Sequence, residues 1–262
     1  MKFINTIWNE KNIIWQLAKN DCKARFASSG LGIVWAFLQP LMTILVFWFV
    51  FGIGFKNMPI AGIPFIVWYI PAFLSWNYFS EGLLQVTNSL LEYRYLVKKV
   101  NFKVEVIPLT KIAASGFIHL AFIGFIVIVN FLHGIFPSIY NLQSFYYFFC
   151  MIVLLAGFGW LLSAMAAFIT DVVNLIAVAI QIGFWATPIF WSPDSMSPMV
   201  QTILKLNPMF YVCTGYRDSF INKIWFWERP IETIYFWVVA FAILCYGIYT
   251  FKRLRPHFDD VL

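Results

Sequence analysis

The chain has 262 residues, of which 61% are hydrophobic and 11% charged, and its mean hydropathy is +0.78. Water-soluble domains carry about 25% charged residues, so this composition excludes an ordinary soluble enzyme or binding module and puts the chain in lipid. The net charge of +6 would suit nucleic acid, but the basic residues sort by position between apolar runs and form no single patch, which excludes that partner.

Residues 1 to 29 read as an N-terminal amphipathic interfacial helix. Ile4, Ile7, Trp8, Ile14, Trp15, Ala18, Cys22 and Phe26 recur at roughly helical spacing, while Lys2, Glu10, Lys19, Lys23 and Arg25 fall mostly elsewhere on the wheel. The pattern predicts a helix on the inner leaflet with tryptophan anchors, and a helix packed on a soluble partner gives the same pattern. The stretch is too polar for a signal peptide, so no cleaved leader is expected.

After the link Ser28-Ser29-Gly30, the run from Leu31 to Phe55 holds no charge until Lys56. A hydrocarbon core about 30 Å thick needs ~20 apolar residues of helix, so this is the first span, and the basic residues before it pin its start to the cytoplasm. Gln39-Pro40 inside the run removes a helix hydrogen bond and predicts a kink. Lys56 to Pro64, rich in Gly and Pro, is an outer loop. The second span, Phe65 to about Thr87, contains Trp68, Tyr69, Trp76, Asn77 and Tyr78, with Glu81 in its inner half. A carboxylate at that depth is costly unless it faces protein or water, so Glu81 is either a functional contact or close to the cytoplasmic end.

Residues 88 to 111 form an inner loop. Glu92, Arg94, Lys98, Lys99, Lys103, Glu105 and Lys111 are interspersed with Leu91, Tyr95, Leu96, Val100 and Phe102, a surface able to dock a soluble protein. Pro108 precedes the third span, Leu109 to Phe131, where a single histidine, His119, reads as an interhelical hydrogen bond before a proton relay. His133 to Ser144 has no Lys or Arg, as suits an outer loop. The fourth span, Phe145 to Ile169, sets Gly159, Ser163 and Ala167 four residues apart for close helix approach. Thr170-Asp171 is an inner turn, and the fifth span, Val172 to Phe190, is short and contains Gly183 and Pro188. Pro193, Pro198 and Pro208 divide residues 191 to 229 into short outer-face helices. The sixth span, Pro230 to Phe251, is stopped inside by Lys252, Arg253 and Arg255.

On this layout 13 of the 18 Lys and Arg residues lie on the inner side, which predicts cytoplasmic termini and agrees with six spans, which require both termini on the same side. Cys22, Cys150, Cys213 and Cys245 are far apart and read as packing residues, with no disulfide and no metal site. The chain lacks the G-x-x-x-x-G-K-[ST] phosphate loop, so ATP is not expected to bind here.

The stretch KNDCKARFASSGLGIVWAFLQPL (Lys19 to Leu41) joins a charge cluster, a small link, L-G-x-x-W and Q-P-L. Four later stretches follow: LVKKVNFKVEVIPLTK (Leu96 to Lys111), ATPIFW (Ala186 to Trp191), LNPMFYVCTGYRDSF (Leu206 to Phe220) and the tail FKRLRPHFDDVL. Together, and in this order, they resemble the permease subunits of type-2 ABC exporters of cell-surface polysaccharides, the O-antigen, teichoic acid and capsule systems. The resemblance covers nearly the whole chain.

It implies an all-α permease of six transmembrane helices in the bacterial cytoplasmic (inner) membrane. Such a permease works as a homodimer with two copies of an ATP-binding cassette subunit, which carries the ATP and magnesium, and moves a lipid-linked polysaccharide. Residues 30 to 262 would form the permease domain, with the coupling loop at 88–111. The resemblance further implies ATPase coupling through Asp21, Lys23, Arg25, Glu92, Arg94, Leu96, Lys98 and Lys99. It implies a substrate path bordered by Trp35, Trp68, Tyr69, Trp76, Tyr78, Trp185, Phe190, Trp191 and Arg217. Many members carry Arg before the Asp of the inner turn, whereas this chain has Thr170-Asp171, which puts a salt bridge there in doubt.

Two other classes stay open on the residues alone. An ion-coupled secondary transporter would show intramembrane ionisable pairs in related halves, and here only Glu81 and His119 lie deep. An intramembrane enzyme acting on polyprenyl-linked glycans would need clustered acids, bases or metal ligands, and His133, Asp194 and Asp218 stand apart in sequence.

Overall fold

In the computed structural model, residues 7–27, 30–54, 62–98 and 102–262 are described, and they are almost entirely helical. Lys2, Ile4, Ser28-Ser29, Lys56, Lys99 and Val100 lie outside the described residues. The helices are α1 (Lys11–Ala27), α2 (Val34–Phe47, prolonged by a wide π-helical stretch, Trp48–Gly54), α3 (Phe65–Glu92), the one-turn α4 (Arg94–Val97), α5 (Ile107–Leu132), α6 (Gln143–Phe168), α7 (Asp171–Ala186), α8 (Pro198–Lys205), α9 (Pro208–Arg217), α10 (Pro230–Leu254) and the tail helix α11 (Phe258–Val261). Proline opens α8, α9 and α10, where a missing N–H costs no helical bond. It also ends α7 short of the expected Phe190: Pro188 pushes Thr187 out of the helical region, to φ −94° and ψ 136°.

Among the described residues, four helical stretches are long and apolar enough to cross a membrane: 34–54, 104–132, 139–168 and 230–257. They correspond to the first, third, fourth and sixth expected spans. The second is α3, whose 28 residues reach about 42 Å but carry Trp, Tyr, Asn, Ser and Glu side chains. Its position accounts for that composition. α3 is surrounded by α5, α6, α7 and α9, so its aromatic side chains are buried against protein, while Asn77, Ser80, Glu81 and Gln85 stay half-buried along one side. The fifth, α7, has 16 residues and reaches about 24 Å, less than a hydrocarbon core.

The bundle is closed by glycines. A Cβ on Gly157 of α6 would lie 2.8 Å from the Leu244 backbone nitrogen of α10, and one on Gly247 would strike the Gly157 carbonyl oxygen. Gly159 faces the other way, where a Cβ would come within 3.3 Å of Val86 and of Pro108. Ser163 and Ala167, expected with it as a close-approach stripe, are both buried.

α1 packs on the bundle. Its inward side, with Ala18 fully buried, packs on α5. Trp15 meets Phe117 edge-on at 4.9 Å, and Asp21 meets Lys111 at 2.6 Å, so the two helices run antiparallel. The exposed flank pairs Lys11 with Trp8 and Lys19 with Trp15. Arg255 folds back to ion-pair with Glu105, and Phe258 packs on Phe251 and Phe168. At the opposite end, Asn130 donates to the Phe220 carbonyl at 3.3 Å and Gln143 to that of Ile224 at 2.6 Å.

Candidate functional site

Asn77, Glu81, Gln85, Asn88 and Glu92 follow one another at three- or four-residue spacing, which puts them in one stripe down α3. Gln85 Nε2 donates to Glu81 Oε1 at 3.2 Å, and Asn88 Nδ2 to Glu92 Oε1 at 2.8 Å.

At the Glu92 end, Lys111 of α5 is buried with Nζ 2.5 Å from Glu92 Oε2 and 2.6 Å from Asp21 Oδ1. Tyr93 Oη donates to the same Asp21 oxygen at 2.7 Å, and its ring lies 4.9 Å from the ammonium. Burial, then the hydrogen bond to Asp21, pushes the Tyr93 phenol above its ordinary value, so it stays protonated and donating. A buried ammonium is tolerated only when paired and hydrogen-bonded. Asp21 and Glu92, expected to meet a partner ATPase, are thus engaged within the chain, holding α1, α3 and α5 together.

One level along the stripe, Arg25 of α1 ion-pairs with Glu81 of α3. The pair stands between two clefts. One, of ≈ 290 Å³, is bordered by Asp21, Arg25, Gln85, Glu92 and Lys111. The other, of ≈ 420 Å³, is bordered by Arg25, Trp35, Gln39, Asn77, Ser80 and Glu81, with Ala177 and Ile180 of α7. This second cleft is the candidate binding site. It offers a flat indole face, amide and hydroxyl groups and one ion pair against an apolar wall, which suits a polar, partly charged ligand of modest size. Pro40 borders it as well, and its missing N–H removes the helical bond it would otherwise make to the Ala36 carbonyl in the same wall.

Of the other expected coupling residues, Lys23, Arg94 and Lys98 are exposed, as is Tyr95. Leu96 is buried, because the apolar side of α4 folds onto the bundle. Most of the expected path rings prove to be core. Trp68, Tyr69, Trp76, Tyr78 and Phe190 are buried because α3, which carries four of them, is the central helix. Tyr69 stacks between Phe65 and Phe73 at 5.5 and 5.2 Å, and Tyr78 stacks on His119 at 4.6 Å. His119 makes the expected interhelical bond, to Tyr216 Oη at 2.6 Å. Arg217 is buried 3.4 Å over the Trp68 ring and donates to the Trp68 and Ile189 carbonyls at 3.2 and 2.7 Å, fastening α9 to α3 beside Pro71. Trp35 and Trp185 are exposed, and Trp191 is half-buried with its Nε1 on the Trp185 carbonyl. Asp218, isolated in sequence, binds Arg229 through both carboxylate oxygens, at 2.6 and 3.2 Å.

Sequence reasoning missed Lys111 as the centre of an ion cluster, and Gln39, Asn77 and Ser80 as cleft residues. A signal existed for the α3 residues, since polar side chains at helical spacing inside an apolar run mark a face turned from lipid. Gln39, next to Pro40, carried the same mark.

A family model described as ABC-2 type transporter matches residues 12–221. The chain is 25% identical over 248 residues to the O-antigen export system permease protein RfbA of Klebsiella pneumoniae, covering 94% of this chain and 93% of that protein. A second Klebsiella pneumoniae protein of that name is 23% identical at the same coverage. One from Myxococcus xanthus is 21% identical over 223 residues, 84% of each chain.

Proposed function

The chain belongs to the ABC-2 type transporter family, and from that premise we propose that it is the permease subunit of an ATP-driven exporter of a cell-surface polysaccharide. The observation that carries this reading is the likeness to O-antigen export permeases over 94% of the chain, which takes in both ends of the bundle. It is a transport subunit, and ATP is hydrolysed on a separate ATP-binding cassette chain, which also holds the magnesium. The cargo is a lipid-linked polymer of O-antigen, teichoic acid or capsule type.

In this reading α2, α3, α5, α6, α7 and α10 make six crossings of the bacterial inner membrane, with both termini cytoplasmic. The distribution of 13 of 18 basic residues supports that orientation. Two copies of the chain assemble with two ATPases. The apolar side chains that α2 and α7 leave exposed, among them Val34, Met42, Leu175 and Ile182, would then be covered by the second copy and by lipid. Arg94, Tyr95 and Lys98, exposed on and beside α4, would meet the ATPase.

Deleting the gene should remove the polysaccharide from the cell surface and leave lipid-linked polymer inside, and the wild-type chain should reverse both. The chain should also copurify with a cassette ATPase. Undiminished polymer at the surface of the deletion strain would end this reading.

A further inference from the structure

The Arg25–Glu81 ion pair is only partly covered, with side-chain exposures of 37% and 30%, so both charges are open to an incoming ligand. About 20 residues of helix cross a hydrocarbon core, and counted inward from Phe65 they end near Gln85, so Glu81 lies within about one turn of the inner boundary. Ionisable side chains at such depth mark binding or transport more often than packing. This pair also divides the two clefts: Arg25 borders both, and Gln85 and Glu81 continue the polar stripe from one to the other. Beyond it, the larger cleft presents Trp35, Gln39, Asn77 and Ser80.

Resting on the exporter reading above, we propose that Arg25 is the docking point for the phosphate of a lipid whose headgroup links phosphate to a sugar, and that Glu81 holds the guanidinium until that phosphate displaces it. A guanidinium presents the same planar fork to carboxylate and phosphate, so the two compete for it. The depth fits a headgroup whose tail stays in the inner leaflet. Trp35 offers an apolar face for the first sugar, and Gln39, Asn77 and Ser80 offer hydrogen bonds to its hydroxyls. α1 and α3, which carry the two charges, are also joined through Lys111, so displacement would be felt at the cytoplasmic end of the bundle.

Competition makes the two partners differ in sign. Glu81→Gln removes a carboxylate that competes for the guanidinium and should tighten binding, whereas Arg25→Gln removes the anion's partner and should weaken it. An ion pair that only supports the fold would make both variants worse. The test uses the complete permease–ATPase complex in nanodiscs of zwitterionic phospholipid, titrated with a fluorescent isoprenyl diphosphate N-acetylglucosamine. Expected are binding several-fold tighter in Glu81→Gln, about tenfold or more weaker in Arg25→Gln, and intermediate in Arg25→Lys, the scale of a charge-assisted hydrogen bond. Isoprenyl alcohol, inorganic diphosphate and phosphatidylglycerol serve as competitors, and each should displace the probe poorly.

Equal affinity for the isoprenyl alcohol would remove the phosphate from the argument. Equal competition by inorganic diphosphate or phosphatidylglycerol would make the site a general anion site and overturn the assignment. Should Arg25→Gln fail to fold, Glu81→Gln decides alone, and unchanged or weaker binding there refutes the proposal. Wild-type complementation of export is measured in parallel. If it fails, the exporter reading falls; if it succeeds while the variants do not diverge, only the Arg25–Glu81 assignment falls.

Discussion

Lys111 shows how far a residue's role can lie from its place in the chain. By position it is the last charge of a basic loop, and by contact it is a buried ammonium between carboxylates of α1 and α3. Removing one partner of a buried ion cluster typically costs about 3–5 kcal/mol, because the remaining charges stay uncompensated. Lys111→Met should therefore lower the thermal unfolding midpoint strongly, followed by tryptophan fluorescence of the detergent-purified chain. Asp21→Asn should cost less, since Glu92 still faces the lysine. The double variant should fall short of the sum, and strict additivity would show that the cluster is not an energetic unit. Leu96 teaches the converse. It looks like an exposed apolar contact in the loop, but it is buried, so a polar substitution there reports on folding and not on the partner. Arg94→Glu and Lys98→Glu are the informative reversals: both side chains are exposed, so the unfolding midpoint should hold while cassette ATPase recovered in a pull-down falls. Full recovery with both reversed would move the coupling surface elsewhere.

The helices were largely legible in the sequence because their ends are written in proline and glycine, and their lengths in the thickness of a bilayer. What they pack against was less so. Gly159 declared itself through its spacing from Ser163 and Ala167, but the tight backbone approach of α6 and α10 uses Gly157 and Gly247, ninety residues apart and without any local pattern. Gly157→Val should force α6 and α10 apart, with a loss of at least ~1–3 kcal/mol from overpacking and a matching drop in unfolding temperature. Gly124→Ala serves as the comparison, since a Cβ there meets nothing within 4 Å, and it should be neutral. Equal effects from the two substitutions would mean that helix propensity, not the crossing, governs the loss. The aromatic residues were ambiguous for a related reason. Tyrosine and tryptophan suit a sugar path, a membrane boundary and a core alike, and only the central place of α3 assigns Tyr69, Trp76 and Tyr78 to the core. The cleft was half legible: Glu81 stood out as a charge, while the neutral Gln39, Asn77 and Ser80 did not.

The contacts between helices divide the chain into two ends without reference to any membrane. Asp21, Glu92, Lys111, Glu105 and Arg255 are joined at one end by ion pairs. At the other, Asn130 and Gln143 bond the segment after α9, and Lys205 of α8 pairs with Glu232 at the start of α10. The residues that charge counting assigns to the cytoplasm fall at the first end, so one orientation test fixes both. In a background with the four native cysteines replaced, single cysteines at His133 and Thr202 stand at the second end, and cysteines at Lys98 and Arg253 at the first; all four positions are exposed. Ser89 would be a poor reporter, because it is buried. A membrane-impermeant thiol reagent applied to intact cells should label His133→Cys and Thr202→Cys, and should reach Lys98→Cys and Arg253→Cys only after permeabilisation. Labelling of the second pair alone would turn the molecule over and place the Lys111 cluster away from any cytoplasmic ATPase. Labelling of one position from each pair would break the two-ended arrangement itself, because the ion pairs and carbonyl bonds at each end require those positions to share a side.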